Sequence, residues 1–447
     1  MTVSNRLLRR ADAKGAVKSG TAGLCLAAAL CAVVPGFAHA DAESDALRAQ
    51  IEALRAEQAR IADMQRRTDE TLRSLEAKLG ASTAAGSTAA PASPAATPAV
   101  AANQSGASKL KISGDVRLRG QGDYGDNDLA NRNSAQIRAR FGATYSVNDR
   151  VTLGARLVTG DDDDPNSTDV QLSNFDNDLK VSLDLAYVQL NLGDLKLYGG
   201  KLPQPFTRTD LVWDGDVNPQ GLAATYKHGF SDGSAFRANA LGFIIDEQAV
   251  ARDSTMWGAQ LGYDSADLGA WKFDVSAAYY NYQIGSLRAA TSSDWRNNLL
   301  TPDGLNYLSD FNLGDVIVGA TWKGVNDRWP LRIVGDYVHN FGAAHNANTG
   351  YGVDFIAGRA SQPGDWRITY GYSMAEVDAV FGAFSHDNIS IGSNYRLHSL
   401  TAEYTPMAKT IIGAIWYHYR PEDARYSGAN DASDWLERVR LYFLVNF

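Results

Sequence analysis

From Lys109 to Phe447 apolar and polar residues alternate with period two, in segments of about ten residues, the length a tilted strand needs to cross a hydrocarbon layer. In "LKISGDVRLRG", Leu110, Ile112, Val116 and Leu118 share one face, and Lys111, Ser113, Asp115, Arg117 and Arg119 share the other. "QIRARFGATYSV" repeats the scheme, with Ile137, Ala139, Phe141, Ala143, Tyr145 and Val147 against Gln136, Arg138, Arg140 and Thr144. "WKFDVSAAY" and "WRITYGY" repeat it again and open on Trp271 and Trp366, aromatic residues suited to an interfacial girdle. The chain ends in "RVRLYFLVNF", where Val439, Leu441, Phe443, Val445 and Phe447 fall on one face and Arg438 and Arg440 on the other.

Polar breaks set the strand count. Seven are short: 148–149, 193–194, 231–233, 265–269, 324–327, 362–365 and 405–409. They alternate with eight longer ones, rich in Asp, Asn and Gly, near 123–134, 160–180, 202–220, 246–255, 284–312, 342–352, 378–393 and 421–433. This predicts an all-β protein, a sixteen-stranded antiparallel transmembrane barrel with both ends of the barrel on the short-turn side. Segments near 353–359 and 410–420 alternate poorly. A soluble β-sandwich or β-helix is the competing reading. A sandwich hides its apolar face and needs no asymmetry between short and long connections.

The first 108 residues follow another pattern. Residues 1–40 have basic Arg6, Arg9, Arg10, Lys14 and Lys18, then the apolar "TAGLCLAAALCAVV", then Ala38-His39-Ala40. These are the parts of an export signal cut after Ala40. Over residues 41–80 a seam of alternating three- and four-residue spacings carries Leu47, Ile51, Leu54, Ile61, Leu72, Leu75 and Leu79, with Gln58, Gln65 and Thr68 interrupting it. That predicts an α-helical, homo-oligomeric coiled coil in the periplasm. Residues 81–108, all Ala, Pro, Ser, Thr and other uncharged residues, read as a linker, and 109–447 as the barrel.

Composition narrows the function classes. Both cysteines, Cys25 and Cys31, lie in the export signal, so the mature chain has no thiol for a disulfide or a metal. Removing five basic residues and Asp12 takes the charge from −9 to −13, which argues against nucleic acid as a partner. No Gly-x-Ser-x-Gly, His-Glu-x-x-His or phosphate-binding glycine loop appears, so neither an enzyme nor a cofactor is expected. His339 and His345 match no ligand pattern. "TGDDDDPNSTD" offers Asp161, Asp162, Asp163 and Asp164 to a hard cation such as Ca²⁺, without EF-hand spacing or its glycine. A solvated acidic loop is the simpler reading.

"ISGDVRLRGQ" (112–121), "GGKLPQPF" (199–206), "LVWDGDVNPQGLA" (211–223), "GDWRITYGYSMAEVDAVFGAFSHDN" (364–388) and "SNYRLHSLTAEY" (393–404) resemble a putative-porin family. That family is exported, with an N-terminal coiled coil before a sixteen-stranded barrel. Where it often has an acidic residue after the proline of the Trp-Asp-Gly-Asp-Val-Asn-Pro run, this chain has Gln220. The overall plan also resembles trimeric general porins. The resemblance implies a homotrimer in the Gram-negative outer membrane, among lipid and lipopolysaccharide, passing small hydrophilic solutes and ions by passive diffusion. The terminal strand resembles the signal read by the outer-membrane barrel assembly machinery, with Val439, Leu441, Phe443, Val445 and Phe447 as its apolar positions.

In a sixteen-stranded channel, selectivity rests on lumenal charge. Arg117, Arg119, Arg138, Arg140 and Arg156 fall on inward positions of the first three strands, and closure adds Arg438 and Arg440 beside them. Seven guanidinium groups would line one arc, unless each is simply paired with an inward carboxylate such as Asp115 or Glu403. In trimeric porins the third loop folds inward. By that resemblance 202–220 would form the constriction, with Trp213 anchoring it and Asp210, Asp214 and Asp216 facing the arginines. Met374, Val377, Val380 and Phe381 have helical spacing, which predicts a short helix over the barrel mouth or a plain strand end. A channel specific for a sugar, phosphate or organic acid remains open, as does an envelope tether in which the coiled coil reaches peptidoglycan. Cation or anion selectivity stays open as well.

Overall fold

The computed structural model describes residues 109–125, 131–160, 166–172, 178–249, 252–287, 290, 295–427 and 434–447. The export signal, the coiled-coil seam, the linker and Asp161–Asp164 lie outside these residues. Strands run in chain order as β1 (Leu110–Tyr124), β2 (Arg132–Ser146), β3 (Val151–Thr159), β4 (Val170–Gln171), β5 (Val181–Leu192) and β6 (Leu195–Lys201). They continue as β7 (Gln220–Gly229), β8 (Ala235–Asp246), β9 (Ser254–Asp264), β10 (Trp271–Gln283), β11 (Phe311–Trp322) and β12 (Leu331–Asn340). The last five are β13 (Thr349–Gly358), β14 (Trp366–Ala375), β15 (Tyr395–Met407), β16 (Thr410–Pro421) and β17 (Leu436–Asn446).

All but β4 form one antiparallel ring of sixteen strands, closed where β17 pairs with β1 from Asp115↔Asn446 to Tyr124↔Glu437. The two-residue β4 pairs only with β2, extending the ladder where β3 has ended. Closure leaves no free sheet edge, so every ladder hydrogen bond is met inside the hydrocarbon layer. Short turns alternate with long loops around the ring, as the polar breaks predict.

Alternation along each strand becomes the two sides of the wall. On β17 and the residue after it, Leu441, Phe443 and Phe447 are exposed on the outer face, while Arg438 and Arg440 are buried inside. Trp271 and Trp366, both exposed, begin their strands at the short-turn end, and Trp366 lies 4.8 Å from Tyr404. At the seam the Phe447 backbone N–H donates to the Gly114 carbonyl at 3.0 Å, and the Phe447 ring packs 5.4 Å from Phe141. A Cβ at Gly114 would lie 2.1 Å from the Arg140 carbonyl oxygen and 2.4 Å from the Phe447 ring, so closure at this point requires glycine.

The weakly alternating segments are strands too. β16 carries Tyr417 and Tyr419 inward, both buried, and Ile415 packs against the same interior cluster. Apolar residues appear on the lumenal face there because a loop covers it. The helix expected over Tyr372–Phe384 does not form. β14 runs to Ala375, and residues 376–384 are a succession of turns. The Asn298 side chain replaces the missing helical bonds, donating to the Val377 carbonyl at 2.8 Å and the Val380 carbonyl at 3.0 Å and accepting from the Gly382 N–H at 2.7 Å. Met374 belongs to the strand, while Val377, Val380 and Phe381 turn inward and are buried.

Candidate functional site

The lumen is narrowed by loops that fold back between the strands. Residues 202–219 leave β6 and cross the ring. The Thr207 N–H donates to Gln260 of β9 at 2.8 Å, Thr209 donates to Asp336 of β12, and Asp216 meets Arg140 of β2 at 2.9 Å. Leu202, Leu211, Val212, Trp213 and Val217 are buried along this path.

Residues 376–394, from the seventh long loop, meet it in the lumen. The Trp213 indole stacks on Phe384 with centroids 5.8 Å apart and an interplanar angle of 10°, and stands edge-on to Tyr280 at 5.5 Å. Tyr282 stacks on Phe381 at 4.6 Å. Backbone bonds join the two loops, from the Asp214 N–H to the Phe384 carbonyl at 2.8 Å and from the His386 N–H to the Asp210 carbonyl at 3.3 Å.

The seven arginines occupy β17, β1, β2 and β3, four consecutive strands of the ring. Arg138 and Arg140 both bond Asp115, at 2.8 and 2.6 Å. Arg117 is paired with Asp169, and Arg119 lies 3.1 Å from the same carboxylate. Arg156 is paired with Asp184. The Arg438 Nε bonds Asp123 at 2.5 Å, and the Arg440 Nε donates to the Gln121 side chain at 2.8 Å. Both also reach Asn388 of the seventh loop, Arg438 at its carbonyl oxygen (2.9 Å) and Arg440 at its Oδ1 (3.2 Å).

The three third-loop acids take different places. Asp216 touches the arginine arc. Asp210 lies 3.7 Å from Arg208 of its own loop and accepts from Asn388 at 2.9 Å. Asp214, 6% exposed, turns into the loop and accepts the Asp216 N–H at 2.7 Å. Burial, then the neighbouring Asp387 and Asp210 carboxyls, push the Asp214 carboxyl up to about 8. Burial by itself would also raise Asp169, but the Arg117 and Arg119 guanidinium groups outweigh it and hold that carboxyl below the usual range. His386 is driven down to about 3 by burial, then by Arg296, Arg440 and Arg438, so its imidazole is neutral.

Several of these groups escape a reading of the sequence. Asp169 belongs to the second long loop, and only the fold brings it between Arg117 and Arg119. On the opposite wall Asp315 (β11) and Asp336 (β12) are buried, and Tyr280 donates to Asp315 at 3.4 Å. "VDAVFGAF" carried a usable signal, since so apolar a run does not suit a loop left in water. Nothing in the local pattern marks Asn388.

Cavities remain among the loops, and two of them border the arginine arc or the third loop. One, about 920 Å³, is lined on its polar side by Lys180, Asp184, Lys201, Asp216 and Asn218. The other, about 620 Å³, lies against Arg119, Arg438 and Arg440.

Comparison with known proteins agrees with this architecture. Residues 124–303 match the model of a family described as "Putative porin". OprB of Pseudomonas putida superposes with a TM-score of 0.53 at 9% identity, over 78% of this chain and 96% of that one. Salmonella typhi OmpF, solved with daunomycin, gives 0.47 at 14% identity, over 76% and 97%. The outer membrane channel DcaP of Acinetobacter baumannii gives 0.44 at 14% identity, over 76% and 97%. No curated protein sequence matches the chain. With a closed ring of sixteen strands, lumenal loops and a family match over residues 124–303, the chain is a transmembrane β-barrel of the outer-membrane porin fold.

Proposed function

We propose that this protein is an outer-membrane channel through which small hydrophilic solutes and ions diffuse passively, narrowed where the third loop meets the arginine arc. The observation that carries the reading is the direct bond from Asp216 to Arg140, made by a loop whose other end is tied to Asp336 across the ring. Opposed charges at a narrow point orient polar solutes and disfavour apolar ones. The test is reconstitution of the refolded barrel in planar bilayers. A stepwise conductance that rises with KCl concentration and does not saturate is expected. Correctly folded protein that inserts and carries no current would overturn the reading.

The channel works as a homotrimer surrounded by lipid and lipopolysaccharide. A shallow apolar cleft on the outer face supports this. Gly120, Ala135, Ala402 and Ala414 floor it, between Trp366, Tyr404, Leu441 and Phe443. Small residues let two walls approach closely. Leu or Trp placed at Ala402 and Ala414 would shift the detergent-extracted species to monomers, and a trimer surviving both changes would move the contact elsewhere. Phe447 packs on Phe141 at the closing seam, and its deletion would lower the yield of inserted barrel.

A further inference from the structure

The 620 Å³ cavity has guanidinium groups on two sides. Arg119, Arg438 and Arg440 approach from the wall, and Arg296 approaches from the tip of the fifth long loop. Among the described residues that line it, Asp387 is the one carboxylate. The wall arginines are not balanced one for one. Arg438 has Asp123, Arg119 divides Asp169 with Arg117, and among the described residues the contacts of Arg440 are neutral: Gln121, Asn388 and the Tyr417 ring 5.5 Å away.

The loop side is built rather than loosely draped. Arg296 and Asn297 have φ of 39° and 77°, two consecutive non-glycine residues in the left-handed region. That conformation costs roughly 1–2 kcal/mol per residue and persists only where surrounding structure enforces it. Here the seventh loop enforces it. The Arg296 Nη1 donates to the Ser385 carbonyl at 3.0 Å, and Asn297 Oδ1 accepts the Gly392 N–H at 3.1 Å. A Cβ at Gly392 would fall 2.8 Å from the Arg296 Cβ, and one at Gly382 would fall 3.0 Å from its carbonyl oxygen. Two glycines and a strained backbone thus fix a guanidinium opposite three others. His386, buried and neutral, adds no further positive charge to theirs.

Guanidinium forks match the two oxygens of a carboxylate or phosphate, and paired, partly desolvated forks hold such groups far better than lone exposed ones. A cavity of this volume is in the range of small-molecule sites. Trp295 adds a flat ring to its lining, suited to a short carbon spacer. We infer that this cavity binds small organic dianions, one oxyanion end on the wall arginines and the other on Arg296, as a waiting site above the constriction. The inference rests on the channel reading and names a solute class for it.

The test is the block of KCl current through single reconstituted channels at constant ionic strength, with succinate, glycerol 3-phosphate, inorganic phosphate, acetate and glycerol as probes. Succinate or glycerol 3-phosphate, or both, should block at least tenfold more tightly than acetate, and glycerol should not block. The stronger of the two identifies the second anionic end as carboxylate or phosphate. Arg296→Gly, a residue suited to positive φ, and Arg440→Gln should each weaken that block at least tenfold. Inorganic phosphate binding as tightly as the better organic dianion would overturn the two-ended site. So would a conducting wild-type channel that does not distinguish succinate and glycerol 3-phosphate from acetate, a comparison needing no variant. Inserted, folded protein without any KCl current would instead defeat the channel reading.

Discussion

The two sides of the lumen hold the same loops by different physics. On the arc formed by β17, β1, β2 and β3, the loops dock through charge: Asp216 on Arg140, Asp169 on Arg117 and Arg119, Asn388 on Arg438 and Arg440. On the side of β8 to β11 they dock through rings and aliphatic chains. There Phe206, Trp213 and Phe384 meet Phe243, Tyr280 and Tyr282 with centroids mostly 5–6 Å apart. Ion pairs buried to this degree lose solvation as they form, which offsets much of their attraction, whereas the aromatic cluster contributes burial without that cost. The aromatic side therefore fixes where the loops stand, and on the proposed channel reading the arginine side would set the field a passing ion meets.

Trp213→Ala breaks that division most severely. Trp213 is fully buried and touches both loops and the wall. Its truncation is expected to cost about 3–5 kcal/mol of stability, read as a fall in the thermal unfolding midpoint of the refolded barrel. Conductance should rise and become noisy as residues 202–219 and 376–394 come apart. A variant with wild-type stability and steady wild-type current would show that the cluster does not hold the loops.

The arginine side answers to smaller changes of opposite sign. Arg140→Ala removes a positive charge and frees Asp216, so permeation should move toward cations. Asp216→Asn should move it toward anions. One unit charge about 8 Å from a permeating ion in a watery pore is worth roughly 0.5 kcal/mol, about twofold in permeability ratio, read from the reversal potential under a salt gradient. Shifts of the same sign in both variants would contradict an electrostatic role for this pair.

The same contrast explains what the sequence made legible. Strand number, closure and the turn asymmetry follow from a period-two pattern that each segment carries by itself. Arg138 and Arg140 lie two residues apart, so local alternation puts them on one face, and in the structure both reach Asp115. The loop contacts are non-local. Asn388 meets Arg438 and Arg440 across about fifty residues, and Trp213 meets Phe384 across many more. "VDAVFGAF" has helical spacing, but Asn298, from another loop, supplies bonds that a helix would have made internally. β16 alternates poorly because Tyr417 and Tyr419 face a covered stretch of lumen rather than water. Sequence periodicity reports the solvent on each side of a wall, and it becomes ambiguous wherever a loop replaces that solvent.

The smallest expected effect lies where the two sides meet, at Asp214. Its backbone N–H is bonded to Phe384 of the aromatic side, while its carboxyl accepts the N–H of Asp216, which bridges to Arg140. With the carboxyl pushed from 3.8 to about 8, Asp214 is neutral at neutral pH and becomes an anion only in mildly alkaline solution. The folded barrel then binds a proton that the unfolded chain has lost, over the interval between those two values. Stability at this site is therefore greatest in acid, falls as pH rises through the interval, and levels off above about pH 8. Over the same rise the lumen gains one negative charge, so cation preference should increase, by less than twofold because the group is buried behind Asp216. Reversal potentials measured from about pH 6 to about pH 10 should show the inflection, and Asp214→Asn should remove it. If Asp214→Asn keeps an inflection near pH 8, the titrating group is a different one. Asp214 would then not be the group whose charge a permeating ion meets over that range.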